Sequence, residues 1–168
     1  NQILSDLYVR DSVTGLYNRM GYQKLSISYF TIMREKKMPV LVMFIDLDRL
    51  KYINDTFGHE YGDFAIVSIA KAMLKHCDAD AIAARTGGDE FIVLEGAKDE
   101  ESGRVLAQKI RTELSKTQRA MQLPFDLSAS IGAVVAHPGE ENVLESYVKR
   151  AEMLMYEEKA EKKVSRDS

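Results

Sequence analysis

The sequence has little of what marks several classes of protein. It contains a single cysteine, Cys77, so a disulfide framework is excluded and the composition is compatible with a reducing compartment. No activating partner stands near Cys77 in the sequence, which favours a buried free thiol over a nucleophile. The apolar runs are far shorter than a membrane span, and no signal peptide heads the chain.

Neither sign of charge dominates. The chain has 23 basic and 26 acidic residues and a formal net charge of -3, which argues against a partner such as a nucleic-acid polymer or a membrane surface. A compact anion such as a nucleotide is still allowed, because a few local cations suffice to bind it. With 168 residues, 45% of them apolar, and no repeat, low-complexity tract or linker, the chain is expected to fold as one domain.

A first acidic segment follows an unbroken apolar run. Residues 40–45 are all apolar and lead directly into Asp46, Leu47 and Asp48. Six consecutive apolar residues predict a strand buried on both faces, with the carboxylates emerging at the edge of the sheet. Asp48 is better explained as the cap of a helix that starts at Arg49.

A second acidic segment lies between two strand-like stretches. Gly87 and Gly88 are followed by Asp89 and Glu90, which predicts a β-hairpin with positive φ at its centre. The glycines would let a bulky anion approach the backbone, although two acids at a turn can equally be solvated turn formers. If the hairpin pairs with the strand that ends at Asp46, two carboxylates converge, and that is the usual protein contribution to a Mg²⁺ site.

The order of the elements predicts the fold class. Helices are expected from a cap at Asn18 to about Lys36, over residues 49–57, around residues 66–74, and over residues 100–116 and 143–163. Strands are expected at residues 40–46, 81–85, 90–94 and 129–136. This order is typical of an α/β (α+β) ferredoxin-like fold, a split βαβ with a central, mostly antiparallel sheet flanked by helices. Apolar residues at helical spacing in residues 1–10 predict the end of a further amphipathic helix.

Four motifs in the expected order carry a family resemblance. The chain resembles the GGDEF domain family, the diguanylate cyclases, over residues 11–163 and most clearly in the signature Gly87-Gly88-Asp89-Glu90-Phe91. The other matching segments are residues 11–19, residues 46–55 with 58–63, and residues 130–132 with 150–152 and 156–159. The resemblance implies a nucleotidyl-cyclase-type fold and the magnesium-dependent condensation of two GTP into cyclic di-GMP and two pyrophosphates.

The resemblance also implies roles for the acidic residues. Asp46 and Asp89, with the carbonyl of Leu47, would hold two Mg²⁺ ions per site, or Mn²⁺ in their place. Glu90 would be catalytic beside Asp89, helping to ionise the attacking ribose 3′-hydroxyl. Because neighbouring strand residues point to opposite faces, the turn must break that alternation if both acids act.

Substrate contacts follow in the same way. Asn54 and Asp63 match the pair that reads guanine, although turn and capping chemistry explains both without the resemblance. Lys51 matches a phosphate-contacting lysine and would otherwise be an ordinary exposed residue. Lys159 and Lys163 share one face of the last helix and match two phosphate-binding cations; at 163 the family often has arginine, whose bidentate contact a lysine cannot make.

Partners and boundaries complete the expectations. Because the product is two-fold, the active species would be a homodimer. Residues 1–10 would be the end of a signalling helix from an N-terminal sensor domain, and residues 11–168 the catalytic domain. The resemblance implies a cytoplasmic location, either for a free protein or for the cytoplasmic part of a membrane-anchored bacterial sensor, with no membrane contact by this domain.

Two departures from the family pattern and two alternative functions bear on the prediction of function. Many relatives have an inhibitory product-binding Arg-x-x-Asp motif at the positions that are Asp78 and Ala81 here, so we expect no tight product inhibition through that site. Arg49 stands where phenylalanine is frequent. The rival functions are a silent domain that binds GTP or a protein partner and regulates a neighbouring module, and a cyclase that makes a mixed or different cyclic dinucleotide.

Overall fold

The computed structural model describes residues 8–140 and 143–167. Four strands and five longer helices lie in these two ranges. In chain order they are α1 (Arg19–Glu35), β1 (Val40–Leu47), α2 (Leu50–Phe57), α3 (His59–His76), β2 (Ile82–Arg85), β3 (Glu90–Gly96), α4 (Ser102–Ala120), β4 (Ala129–Ala136) and α5 (Leu144–Asp167).

The strands form one sheet in the order β2-β3-β1-β4, and every neighbouring pair is antiparallel. Because β3 is antiparallel to both of its neighbours, β1 and β2 run parallel to each other with β3 inserted between them. This is the split βαβ arrangement. The predicted fold class is confirmed.

The central strand β1 is buried along its whole length, as its apolar run predicts. Leu41, Met43 and Ile45 belong to the core cluster that includes residues of α2, α3 and α4. Val42 and Phe44 belong to the cluster that includes residues of α1 and α5 on the other side of the sheet. Helices pack on both faces of β1, and the C-terminal end of the strand carries Asp46.

Two of the predicted local features can be checked at helix starts. Asn18 caps α1, its side-chain oxygen accepting the Gly21 N–H at 2.8 Å, as expected. The capping role of Asp48 is wrong: the residue that precedes α2 is Arg49, in the left-handed region at φ 60°, and no side chain caps this helix. Asp48 is instead buried, with partners that are described below.

The predicted geometry of the hairpin is also wrong. Strands β2 and β3 are joined by residues 86–89, and neither Gly87 nor Gly88 has a positive φ; in the described residues the glycines that do are Gly15 and Gly58. At the end of this loop the Asp89 carbonyl accepts the Leu47 N–H at 2.9 Å. The hydrogen bonding between β3 and β1 thus continues one residue beyond β3.

The remaining predictions concern the N-terminus and Cys77. Ile3, Leu4 and Leu7, on which the N-terminal helix was expected, lie outside the described residues, whereas Tyr8 and Val9 are helical.

Cys77 is a free, half-buried cysteine, and burial raises the pKa of its thiol to about 12, so it is a poor nucleophile. None of the helices in residues 8–140 and 143–167 is long and apolar enough to span a membrane.

Gly132 of β4 lets the last helix approach the sheet. A Cβ atom at this position would lie 2.0 Å from the Ala151 carbonyl oxygen and 2.5 Å from the Met155 backbone nitrogen. Both atoms belong to the backbone of α5, which cannot move aside as a flexible side chain can. The position of α5 over the sheet therefore depends on the missing side chain.

We predict that Gly132→Ala destabilises the domain by about 1–3 kcal/mol or more, because the added methyl overpacks a contact between two backbones. The measurement is the free energy of unfolding in denaturant. Gly139→Ala is the matched control, since a Cβ atom at Gly139 has no neighbour within 4 Å and φ is not positive there. Equal stability of the two variants would contradict this account of the α5 contact.

Candidate active site

Asp46 is a buried carboxylate with one oxygen unused. The residue is 6% exposed at the end of β1. One carboxylate oxygen, Oδ2, lies 2.8 Å from the Lys159 ammonium of α5, whereas Oδ1 has no hydrogen-bond partner. Burial and the neighbouring Asp89 carboxylate raise the pKa of Asp46 to about 7, against the opposing effect of Lys159. A buried oxygen of this kind is suited to a cation that the protein itself does not supply.

The pairing of β1 with β3 places Asp89 beside Asp46. In the register, Asp46 lies opposite Glu90, and the Leu47 N–H donates to the Asp89 carbonyl at 2.9 Å. The Asp89 carboxylate is close enough to contribute to the raised pKa of Asp46. The two acids that the sequence analysis selected as a pair, 43 residues apart, thus lie at one end of the sheet.

Glu90 opens β3 on the same face of the sheet as Asp46. Burial raises the pKa of its carboxyl, and Asp89 and Glu152 add to the effect. Gly87 is packed against this side chain, because a Cβ atom at Gly87 would lie 2.9 Å from Glu90 Oε2. A residue larger than glycine at position 87 would therefore have to displace Glu90, whereas a Cβ atom at Gly88 has no neighbour within 4 Å.

Two arginines hold the loop that carries these acids, and sequence reasoning missed both. The Arg19 guanidinium donates twice to the Thr86 carbonyl, at 3.0 and 2.9 Å. Arg85 donates to the Gly88 carbonyl at 3.1 and 2.8 Å and also contacts Asp11 at 3.3 Å. Arg19 belongs to a matching motif, but its partner is 67 residues away, and nothing in the sequence points to that contact.

A pocket of about 480 Å³ opens next to Asp89. The pocket is lined by Lys51, Lys159 and Lys163. Lys159 and Lys163, which were expected on one face of α5, therefore face the same pocket. Lys51 also lies 3.0 Å from Asp55 in an exposed ion pair. Cationic side chains around a concave surface are suited to an anion such as a phosphate chain.

Asn54 and Asp63 lie on the neighbouring helices α2 and α3. A Cβ atom at Gly62 would lie 1.8 Å from Asn54 Oδ1, so the two helices touch where Asn54 meets Gly62. Asp63 follows Gly62 and is exposed. Within the described residues neither side chain forms a hydrogen bond or caps a helix, so both are available to a ligand.

Asp48 and Lys162 form a second carboxylate–lysine pair, which the sequence analysis did not predict. Both carboxylate oxygens of Asp48 have hydrogen-bond partners. Its oxygens accept from Ser130 at 2.6 Å, from Ser128 at 2.7 Å and from Lys162 at 2.7 Å. Burial alone would raise the pKa of Asp48, but these three donors together lower it. Lys162 donates also to the Ala129 carbonyl at 2.7 Å.

A larger cleft, of about 690 Å³, adjoins the Asp48–Lys162 pair but does not include Asp89 or Lys159. The candidate site is therefore the smaller pocket of about 480 Å³.

Curated proteins are similar to this chain over most of its length. The chain is 34% identical over 153 residues to diguanylate cyclase VdcA of Vibrio cholerae, covering 89% of this chain and 43% of VdcA. It is 32% identical over 146 residues to cyclic di-GMP phosphodiesterase PdeR of Escherichia coli, covering 87% of this chain and 22% of PdeR. The chain thus spans less than half the length of these relatives.

A solved structure and a family match extend the comparison. The structure comprising only the GGDEF domain of PA1120 (TpbB or YfiN) from Pseudomonas aeruginosa superposes with a TM-score of 0.73 at 29% identity, covering 90% of this chain and 89% of that one. The family described as "Diguanylate cyclase, GGDEF domain" matches residues 8–165. The chain therefore belongs to the GGDEF domain family.

Proposed function

We propose that this domain is a diguanylate cyclase, which condenses two GTP into cyclic di-GMP and releases two pyrophosphates. The observation that carries the proposal is the buried Asp46 with an unpartnered oxygen, held beside Asp89 and Lys159, which both line a pocket with further lysines. The names of curated relatives such as VdcA support it. Phosphoryl transfer requires mainly positioning and neutralisation of charge, and both can be supplied here.

The site fits a divalent metal ion with hard-oxygen preferences. In the described residues no cluster of three or more His, Cys, Asp and Glu side chains could hold a metal by itself. Asp46, Asp89 and the Leu47 carbonyl would provide the protein ligands, leaving the remaining positions to water and phosphate oxygens, as Mg²⁺ prefers. We propose two Mg²⁺ ions per site, with Mn²⁺ as a substitute; when bound they would neutralise the triphosphate and polarise its phosphoryl oxygens.

Side chains of the site would provide proton transfer and phosphate binding. Glu90 would accept the proton of the ribose 3′-hydroxyl that attacks the α-phosphorus of the second GTP, and pyrophosphate would leave. Lys51, Lys159 and Lys163 would bind the phosphates, which could approach the backbone of the Gly87–Gly88 segment on the open side at Gly88. Lys159 would exchange its contact with Asp46 for one with the phosphates.

Guanine recognition is proposed for Asn54 and Asp63. A carboxylate accepts from the N1–H and N2–H₂ groups of guanine, and an amide can both donate and accept. Adenine offers that carboxylate a mismatched edge, which leaves a polar group unpaired and lowers affinity. Neither side chain forms a hydrogen bond within residues 8–140 and 143–167, as such a role requires.

The reaction implies a homodimer. Each GTP is both nucleophile and electrophile in forming a two-fold product, so two domains must face each other. We propose that residues 1–10 belong to a signalling helix that brings two copies of the domain, residues 11–168, together under an N-terminal sensor in the cytoplasm. The domain alone would then be monomeric and slow.

A second candidate function is a silent GGDEF domain that regulates a neighbouring module. The match to PdeR, which is named as a phosphodiesterase, favours it. Against it stand the site residues, since a domain free of catalysis need not keep Asp46, Asp89, Asn54, Asp63 and Lys159 together. Product analysis separates the two.

We predict that the 168-residue chain, joined to a parallel two-stranded coiled coil, makes cyclic di-GMP from GTP and Mg²⁺, detected by mass spectrometry. Reactions with ATP alone should give no product, and mixtures should give no mixed dinucleotide. Asp46→Asn and Asp89→Asn should lower turnover by about 10²-fold or more, since each removes charge from the reacting centre.

Glu101→Gln, an exposed change on the far side of the domain, is the control and should retain the full rate. Unchanged GTP with the unsubstituted chain would favour the silent domain. Products that contain adenine would show that Asn54 and Asp63 do not select the base.

The raised pKa of Asp46 predicts a pH dependence of stability in metal-free buffer. The folded state binds the Asp46 proton up to about pH 7, and the unfolded chain releases it near the ordinary value of 3.8. The folded state thus holds more protons between these values, and the stabilisation present at pH 4 is lost as the pH rises to 7.

Asp46→Asn should remove this component, so that the free energies of unfolding of the two proteins diverge in favour of the variant between pH 4 and 8. Denaturant titrations in the presence of EDTA measure it. Parallel stability curves for the two proteins would contradict the assigned pKa.

A third prediction concerns regulation by product. Asp78 and the buried Glu95 are linked by a 2.9 Å hydrogen bond from the Asp78 N–H, and Asp80 adds to the negative potential there. An anionic dinucleotide is repelled from such a surface. Added cyclic di-GMP should therefore leave the initial rate unchanged, and the double change Asp78→Arg with Ala81→Asp should introduce inhibition. Tight inhibition of the unsubstituted chain would show that the product binds elsewhere.

A further inference from the structure

Arg49 has a backbone conformation that L residues rarely adopt. Its φ and ψ are 60° and 37°, in the left-handed region. Two other non-glycine residues of the described chain have positive φ, and both, Lys37 and Gln122, follow the end of a helix, where this conformation is common. Arg49 instead precedes a helix. An unfavourable backbone state of this kind persists only where the surroundings impose it.

The neighbouring Asp48 imposes this conformation. The Asp48 N–H donates to the Ser128 carbonyl at 2.9 Å, and its carboxylate is bound by two serines and by Lys162. On the other side, the Arg49 carbonyl accepts the Ile53 N–H at 3.0 Å in the first turn of α2. Arg49 is thus fixed at both ends of its backbone.

The side chain of Arg49 is ordered without a carboxylate partner. Its guanidinium carbon lies 4.0 Å from the centre of the Tyr52 ring, a stacked arrangement that leaves the N–H groups at the edge free. Within the described residues Arg49 forms no ion pair, and it lines the pocket of about 480 Å³ together with Asp89 and Lys159. Arg49 is exposed, so its guanidinium lies at the rim of the pocket, and no carboxylate of the described residues pairs with it.

The other cations that line this pocket are less suited to a bidentate contact with a phosphate. Lys51, Lys159 and Lys162 each have a carboxylate partner, and Lys163 offers a single ammonium. Arg166, the other guanidinium that lines the pocket, lies in the last turn of α5, and no aromatic ring in the described residues holds it. A guanidinium presents two parallel N–H groups that match a phosphate, and an arginine stacked on an aromatic ring loses little freedom on binding.

We propose that Arg49 is an additional substrate-binding residue, which donates two hydrogen bonds to a phosphate of the bound nucleoside triphosphate. The inference rests on the proposed function, in that it takes the pocket to be the GTP site. It adds a contact from a residue whose backbone conformation is set by the buried Asp48–Lys162 pair rather than by the substrate.

The test compares Arg49→Asn with Arg49→Lys in the 168-residue chain. Asparagine tolerates the left-handed region, so Arg49→Asn should unfold no more easily than the unsubstituted protein. Calorimetric titration with a non-hydrolysable GTP analogue and Mg²⁺ should show affinity lower by about tenfold for Arg49→Asn, the usual loss for one charged contact, and by less for Arg49→Lys. Guanosine, which has no phosphate, should bind both variants as it binds the unsubstituted chain, as seen by ligand-observed NMR.

Arg119→Asn, an exposed change at the end of α4, is the matched control and should leave both affinities unchanged. Equal weakening of guanosine and triphosphate, or a lower stability of Arg49→Asn, would assign Arg49 a structural role and overturn the inference. Unchanged triphosphate affinity would overturn it as well, with the proposed function intact. Failure of the unsubstituted chain to bind the analogue would overturn both.

Discussion

The pairing of β1 with β3 is the constraint on which the site depends. The register sets Asp46 opposite Glu90, and the bond from the Leu47 N–H to the Asp89 carbonyl carries the pairing one step into the loop. A slip of one residue would turn the whole apolar set of β1 to the wrong faces, which two packed cores forbid. The hydrophobic contacts that hold the strand in place therefore also fix the relative positions of the acids.

Two carboxylate–lysine pairs at this end of the sheet show how stability and function are separated. Asp48 with Lys162 is saturated by hydrogen bonds and joins the end of β1 to β4 and α5. Asp46 with Lys159 has the same chemistry, but one oxygen is left unpartnered in a buried position. Leaving a buried polar group unpaired costs stability. The cost is tolerable because the neighbouring pair keeps α5 in place.

The sequence was sufficient for the parts of the structure that depend on local pattern. The apolar run before Asp46 predicted a strand buried on both faces, and the order of elements predicted the sheet. What it could not supply were contacts between distant positions. The serine and lysine partners of Asp48 lie 80, 82 and 114 residues away, so a helix cap was the better local explanation. The positive φ expected at Gly87 was wrong for a different reason: the small size of this glycine makes room for the Glu90 side chain, three residues along the chain.

The charges at the pocket make the proposed binding of metal and of phosphate mutually dependent. In this structure the Lys159 ammonium partly neutralises Asp46, so a metal ion that takes Asp46 would release Lys159. A released lysine at the pocket lowers the cost of bringing in a polyanion, and the polyanion in turn supplies oxygens to the metal. Either ligand alone would leave an uncompensated charge in a partly buried site, which is unfavourable. Under the proposed function, these charges would favour binding of the metal and nucleotide as a complex.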